Sequence, residues 1–232
     1  MLKELYISNN MINDLKFAKD ITVSNSNIEF APGINLKFGS VHEICGSSNF
    51  IMAMMIASKI DNLIIWIHED NRIPFPDGVS SWVSPNKIIL IKVSSTQELL
   101  WSIEESLRVG IGFLVIGNSA NIPSFTSIRR LKLIIKNHYT PSQKSLPTVL
   151  ILTNHDCKLI EGVESRWHCS PMKDTYTKKK NKIINAWKLI CQYSKHEMRK
   201  TWVVNEFEDL EDPFSFFKKK KNLTLISKKI LE

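Results

Sequence analysis

The chain has 232 residues, of which 43% are apolar and 23% are charged. A chain of this length buries about 70% of its unfolded surface in a compact core, which excludes wholesale disorder, collagen and miniprotein classes. The longest apolar run, Phe50 to Ala57, is far shorter than the roughly 20 residues that span a bilayer, and the N-terminus lacks a signal pattern, so we expect a protein without a membrane segment.

Residues 1–37 are predicted to be a lead-in, helical over residues 1–20 and then extended and polar up to Pro32 and Gly33. From residue 38 to residue 170, apolar strands alternate with helical periodicity, which is typical of an α/β core with a mostly parallel sheet flanked by helices. The predicted strands are Val41–Cys45, Leu63–Ile67, Lys87–Val93, Phe113–Ile116 and Thr148–Leu152. The predicted helices cover Phe50–Ile60, the segment after Ser95, and Ser124–Lys136. We expect consecutive strands to be parallel neighbours joined by right-handed crossovers.

The helix after Ser95 has the clearest sequence signals. Ser95 and Glu98 are spaced as in a capping box, in which a hydroxyl and a carboxylate bind the first free N–H groups of a helix. Gly110 follows the last apolar residue of the pattern and predicts the end of the helix.

After residue 170 the pattern changes to strands and turns. Residues 186–193 and 201–207 flank a polar stretch and predict an antiparallel β-hairpin, so we interpret residues 171–212 as a hairpin extension of the core. Residues 213–232 are predicted to be a Lys-rich tail.

The four cysteines do not form a close pair of the CxxC type. They are Cys45, Cys157, Cys169 and Cys191. This usage argues against a disulfide framework and favours a reducing compartment, with the cytoplasm as the expected location. His155 and His168 lie near two of them, but the spacing fits no common zinc site, so we predict no metal site.

The net charge of +8 is distributed unevenly. Residues 1–170 hold 16 Lys and Arg against 15 Asp and Glu, whereas residues 171–232 hold 15 against 8. The run Lys218, Lys219, Lys220 and Lys221 lies beside three phenylalanines and is a candidate for DNA contact, because lysines bind phosphates and aromatic rings stack on bases. The alternatives are a solvated charge run and codon drift, since Lys outnumbers Arg 25 to 6.

The loop after the first core strand is where an open α/β sheet binds phosphate. A Walker A loop requires a second glycine, a lysine and a hydroxyl at fixed distances after its first glycine. Counted from Gly46, those positions are Ile51, Met52 and Ala53. All three are apolar, so the sequence predicts a degenerate P-loop without the charge or the metal ligand that nucleotide hydrolysis needs.

The Walker B position is degenerate as well. An Asp that holds Mg²⁺ would follow the strand Phe113–Ile116, and Gly117 stands there instead. Glu69 and Asp70 occupy a strand end where such folds place a water-activating acid. Without a P-loop lysine they are more simply interpreted as a solvated charge pair, and we predict no catalytic residues and no cofactor.

Several segments between residues 38 and 208 together resemble the bacterial ImuA family. These segments are Val41–Ile44, Trp66–Ile67, Asp77–Val79, Asn86–Ile91, Leu99–Glu105, Gly110, Ser127–Leu133 and Ser165–Trp167. The most specific are the LLWxxEE helix, the SxRRLxL helix and the SRW strand. The chain departs from typical members in its Lys-rich character and in the tail after Pro213.

The resemblance implies a RecA-like core of the P-loop NTPase type without a working Walker A loop. It further implies a cytoplasmic, non-catalytic accessory role in damage-induced (SOS) translesion DNA synthesis, at or near the nucleoid. The implied partners are ImuB, which is an inactive relative of lesion-bypass polymerases, an error-prone polymerase of the replicative type, and RecA. A residual NTPase, a DNA-binding module and an inhibitor of cell division similar to SulA remain as alternatives.

Three residues are candidates for a partner interface. The resemblance favours a role for Arg129 and Arg130, although both also fit the solvated face of an amphipathic helix. Trp101 fits a core or boundary aromatic better than an interface anchor, because other residues already supply the apolar face of its helix, yet Trp is a residue type that interfaces favour. No Ser/His/Asp or Cys/His spacing suggests a catalytic triad.

Overall fold

The computed structural model describes residues 27–69, 73–110, 112–138, 146–154, 159–172, 183–195, 199–207 and 223–229. The strands are β1 (Asn27–Ala31), β2 (Ile34–Lys37), β3 (Val41–Cys45), β4 (Ile64–His68), β5 (Ile88–Lys92), β6 (Leu114–Asn118), β7 (Thr148–Leu152), β8 (Ser165–Pro171), β9 (Ile183–Ser194), β10 (Lys200–Phe207) and β11 (Leu223–Lys229). The helices are α1 (Asn49–Ala57), α2 (Pro76–Val79), α3 (Thr96–Val109) and α4 (Phe125–His138). A short 3₁₀ turn, Pro85–Lys87, precedes β5.

One nine-stranded sheet organises the described residues, in the order β11-β10-β9-β8-β3-β7-β6-β4-β5. The strands from β8 to β5 are mutually parallel, and β9, β10 and β11 extend the β8 side in antiparallel pairs. The protein is therefore an α/β structure with a mostly parallel central sheet. Strands β9 and β10 pair antiparallel in the segment where the sequence predicts a hairpin.

The prediction that consecutive strands are neighbours is wrong for two of the four connections among the five predicted strands. β4 lies beside β5 and β6 lies beside β7, but β7 and β6 separate β3 from β4, and β4 separates β5 from β6. Periodicity identifies parallel strands because it reports two-sided burial, but it carries no signal for how far a crossover travels.

Helices cover both faces of the parallel strands. In β4, Ile64 and Trp66 join one apolar cluster with α1, whereas Ile65 and Ile67 join a second cluster with α3 and α4. Successive side chains of a strand point to opposite faces, so this division requires a sheet that is buried on both sides. The antiparallel strands β9 and β10 contribute buried apolar residues to the first cluster only.

Residues 27–37 are extended, as the sequence predicts, but they are part of the core and not a lead-in to it. They form a β1–β2 hairpin whose side chains alternate between buried and exposed, and Phe30 lies edge-on to Trp167 with ring centroids 5.6 Å apart. Burial of a phenylalanine contributes roughly 1.5–3 kcal/mol. The hairpin is therefore part of the core, while the predicted helix at residues 1–20 lies outside the described residues.

Part of the predicted Lys-rich tail forms a strand. Residues 223–229 are strand β11, which pairs antiparallel with β10 and extends the edge of the sheet. The lysine run at residues 218–221 lies outside the described residues, as do the neighbouring phenylalanines.

Candidate functional site

The first candidate site is the carboxyl end of β3. Here the connections that follow two adjacent parallel strands, β3 and β8, run in opposite directions along the sheet. From β3 the chain continues to α1 and then to β4, whereas from β8 it turns outward to β9. Such a switch point is where open α/β sheets bind ligands. The loop that begins at Gly46 lies at this point, as the sequence predicts.

The chain's own backbone closes this switch point. The Ser48 N–H donates to the Cys169 carbonyl of β8 over 3.0 Å, and the Asn49 N–H donates to the Gly46 carbonyl over 3.1 Å. The Asn49 amide donates to the Thr153 carbonyl, also over 3.0 Å. The loop is thus hydrogen-bonded to chain segments on both sides of β3, and two N–H groups at the start of α1 are engaged within the protein.

Gly46 is required by this close approach. Its φ is +93°, and a Cβ at this position would lie 2.4 Å from the Cys169 carbonyl oxygen. Phosphate-binding loops use glycine so that the backbone can surround the phosphate, whereas here the space beside the glycine holds the neighbouring strand. Glycine therefore serves packing at this position.

Apolar residues occupy the predicted Walker A positions. Met52 and Ala53 are completely buried, and Ile51 is half-buried. Phe50, one residue before them, packs on Trp66 of β4 with ring centroids 5.0 Å apart. A helix that is apolar all round is a core helix, so α1 packs into the first apolar cluster.

The predicted Walker B position is occupied by packing too. A Cβ on Gly117 would lie 2.8 Å from Ile103 Cδ1 and 3.2 Å from Leu99 Cδ2, both on α3. An aspartate there would place its carboxylate against aliphatic side chains, which is costly without hydrogen-bond partners. The glycine allows α3 to pack closely on β6.

Glu69 is held by the loop after β6. Its carboxylate accepts from the Ala120 N–H over 3.3 Å and from the Ser119 hydroxyl over 3.4 Å. It is therefore not simply a solvated charge. Asp70, the second acid of the predicted pair, lies outside the described residues.

The three predicted interface residues lie on α3 and α4. Trp101 is 61% exposed on α3, which is more than its interpretation as a core or boundary aromatic predicts. Arg130 of α4 donates to the buried Glu104 carboxylate of α3 over 2.5 Å, which joins the two helices and raises the pKa of Arg130. Arg129 is exposed.

Sequence reasoning missed a group of polar residues at the opposite, amino-terminal edge of the sheet. His42 and Ser165 are register partners on β3 and β8, with His42 Nδ1 2.7 Å from Ser165 Oγ. His42 Nε2 lies 2.8 Å from the Lys37 carbonyl, which can only accept, so Nε2 carries the proton. Ser165 then donates to Nδ1 and accepts from the Trp167 indole N–H over 2.8 Å. Only the tertiary structure brings these residues together.

This Ser–His pair is poorly suited to nucleophilic catalysis. Burial lowers the pKa of His42 from 6.5 to about 4, so the ring accepts a proton poorly at neutral pH. The Trp167 N–H also binds the oxygen that would have to attack. The pair serves to connect the two strands within the buried edge.

Among the described residues, no group of three or more His, Cys, Asp or Glu side chains is arranged to hold a metal ion. Within the same residues, no helix is both long enough and apolar enough to cross a membrane.

No protein-family model matches this chain, and no curated protein matches it.

Proposed function

We propose that this protein is a non-catalytic accessory factor of damage-induced, error-prone DNA synthesis, built on a RecA-like core with degenerate Walker motifs. It acts through contacts with an ImuB-like inactive polymerase, an error-prone replicative-type polymerase and RecA. The residues that resemble the ImuA family support the partners, and the mostly parallel sheet is compatible with a RecA-like core.

The observation that carries the proposal is the closed switch point after β3. The Ser48 N–H binds the Cys169 carbonyl, and apolar side chains stand where a lysine and a hydroxyl would bind phosphate and Mg²⁺. A protein with this core and without phosphate-binding groups fits a role in binding other proteins.

Trp101 is the best candidate for the centre of a partner interface. An exposed tryptophan leaves a large apolar surface in contact with water, which a partner can bury. Interfaces concentrate their binding energy in such residues. Val109 on the same helix is 63% exposed and provides a control of matching exposure.

The test is a pull-down with tagged full-length protein from damage-induced cells of the native organism, with the captured proteins identified by mass spectrometry. We expect ImuB, the error-prone polymerase or RecA to be captured at both low and high salt. Trp101→Ala should reduce capture about tenfold or more, while Val109→Ala should leave it unchanged. Capture of none of the three partners at low salt contradicts the proposal.

The alternative is an enzyme, a residual NTPase. A thermal-shift measurement distinguishes it from the non-catalytic accessory factor. A ligand that binds only the folded state raises its melting temperature by mass action. We expect no shift with millimolar ATP and Mg²⁺. A shift that depends on nucleotide would favour the NTPase.

A further inference from the structure

A pocket of about 310 Å³ lies at the amino-terminal edge of the parallel strands, between the β1–β2 hairpin and strands β3, β8 and β9. Its apolar wall includes Trp167 and Cys191. Polar groups from Asn35, Lys37 and Ser194 converge on the same space. An apolar pocket of a few hundred cubic ångströms with a few convergent polar groups is the usual form of a small-molecule site.

Positive charge surrounds the carboxylate in the wall of this pocket. Glu164 and Lys37 both line the pocket, with Lys37 Nζ 3.1 Å from the carboxylate. Two further ammonium groups outside the lining also reach Glu164, Lys132 Nζ at 3.3 Å and Lys195 Nζ at 3.8 Å. His42, the other titratable ring in the wall, is neutral at pH 7 because its pKa is about 4. Three cations around one carboxylate leave an excess of positive charge beside the pocket, and such a charge attracts anions into a cleft with low-dielectric walls.

We propose that this pocket binds a small organic anion, whose carboxylate or phosphate group contacts Lys37 and whose apolar body lies against Trp167. The hydrogen bonds that join Trp167, Ser165 and His42 hold this wall in one arrangement, so little order has to be created on binding. The site is at the opposite end of the strands from the degenerate P-loop. The inference therefore does not depend on the proposed partners.

The test uses the full-length protein and four probes: benzoate, phenyl phosphate, inorganic phosphate and the uncharged benzamide. Binding is followed by two-dimensional NMR at the indole N–H signal of Trp167, assigned with Trp167→Phe, and by calorimetry. The carboxylate and the phosphate ester distinguish the two kinds of anion, and inorganic phosphate tests whether the apolar body is needed.

We expect benzoate or phenyl phosphate to shift the Trp167 signal. Benzamide lacks the charged hydrogen bond and inorganic phosphate lacks the apolar contact, so each should bind at least about tenfold more weakly. Lys37→Gln should weaken the anion about tenfold. Lys195 is an exposed lysine beside Glu164, and Lys195→Gln should also weaken binding of the anion.

Lys92→Gln is the matched control, since Lys92 is an exposed lysine on β5 at the far edge of the sheet. Its affinity for the anions should equal that of the wild type. Three results would overturn the inference. They are no binding of any probe at about 10 mM, which is roughly ten times a weak Kd of about 1 mM, equal binding of benzamide and benzoate, or equal affinities of Lys37→Gln and Lys92→Gln.

Discussion

Arg166 and Glu43 lie opposite each other on the parallel strands β8 and β3, with Arg166 Nη1 3.5 Å from Glu43 Oε1. Both side chains are buried, and the carboxylate also accepts from the Thr153 hydroxyl over 3.1 Å and from the Ile160 N–H over 2.9 Å. This ion pair connects the two strands that border the switch point. Loss of the pair should therefore affect the stability of both strands.

Replacing one partner of this pair should destabilise the protein strongly. Arg166→Met leaves the Glu43 carboxylate buried without its cation, and we expect the free energy of unfolding to fall by about 3–5 kcal/mol. The double variant Glu43→Gln/Arg166→Met removes both charges and should recover part of this loss. Urea unfolding measures both.

The exposed ion pair between Lys87 and Asp61 provides the control. Lys87→Met should cost less than about 1 kcal/mol, since solvent screens the pair. If Arg166→Met costs no more than this control, the buried pair does not hold the strands together.

Gly46 and Gly33 separate two effects of adding a Cβ. Both have positive φ, but a Cβ at Gly33 meets no atom within 4 Å, whereas a Cβ at Gly46 meets the Cys169 carbonyl. Gly33→Ala should cost only the conformational strain of about 1–2 kcal/mol. Gly46→Ala should cost roughly 3 kcal/mol or more, because the backbone of β8 must also move. Equal losses in thermal unfolding would mean that the switch point is open in solution.

His42 should make the protein less stable in mild acid. Its folded pKa of about 4 lies below the unfolded value of 6.5, so the unfolded state binds more protons between these values. Stability is then full above pH 6.5 and decreases as the pH falls toward 4, by about 3 kcal/mol if the whole shift is realised. Unfolding by urea at a series of pH values measures the slope, and His42→Gln should flatten it. A slope that the variant leaves unchanged would assign the effect to other groups.

Glu164 should make the stability of the protein depend on pH in a second, lower pH range. Burial alone would raise its pKa, but the hydrogen bond from Lys37 and the charge of Lys132 outweigh burial and lower the pKa from 4.5 to about 2. The folded state therefore keeps the carboxylate ionised, and this contribution is lost as the pH falls from 4.5 toward 2. Glu164→Gln should remove the pH dependence in this window. The window of His42 should persist and extend to lower pH, because the Glu164 charge raises the pKa of His42. Urea unfolding at a series of pH values measures both.

The lysine run at residues 218–221 tests the DNA-binding alternative. If these four lysines bind phosphates, the affinity for duplex DNA should fall about 100-fold between about 50 and 200 mM salt and should disappear on truncation after Pro213. Electrophoretic mobility shifts at the two salt concentrations measure this. Substituting Lys178, Lys179 and Lys180 by Gln is the comparison, and binding that depends on this run instead contradicts a role for the tail.

Local signals in the sequence determined several elements of the fold. Ser95 is the N-cap of α3, with its hydroxyl accepting from the Glu98 N–H over 3.2 Å, while the Glu98 carboxylate accepts from the Ser94 N–H over 2.8 Å. Gly110 ends the helix with φ +70°. Strands β3 and β7 have the predicted bounds. These features depend on residues within four positions of one another, so periodicity and capping chemistry suffice to predict them.

Contacts between distant segments determined the features that these local signals do not predict. The order of the strands, the burial of the β1–β2 hairpin and the exposure of Trp101 depend on which surfaces meet, and residue spacing along the chain contains no information on this. The sequence showed that apolar residues stand at the Walker A positions, but only the structure showed that the loop after β3 is hydrogen-bonded to β8 through Cys169. His42 and Ser165 are 123 residues apart and become neighbours because β7 crosses to β8 on the other side of β3. A pocket is made by long-range packing of this kind, which is why the sequence alone gave no sign of it.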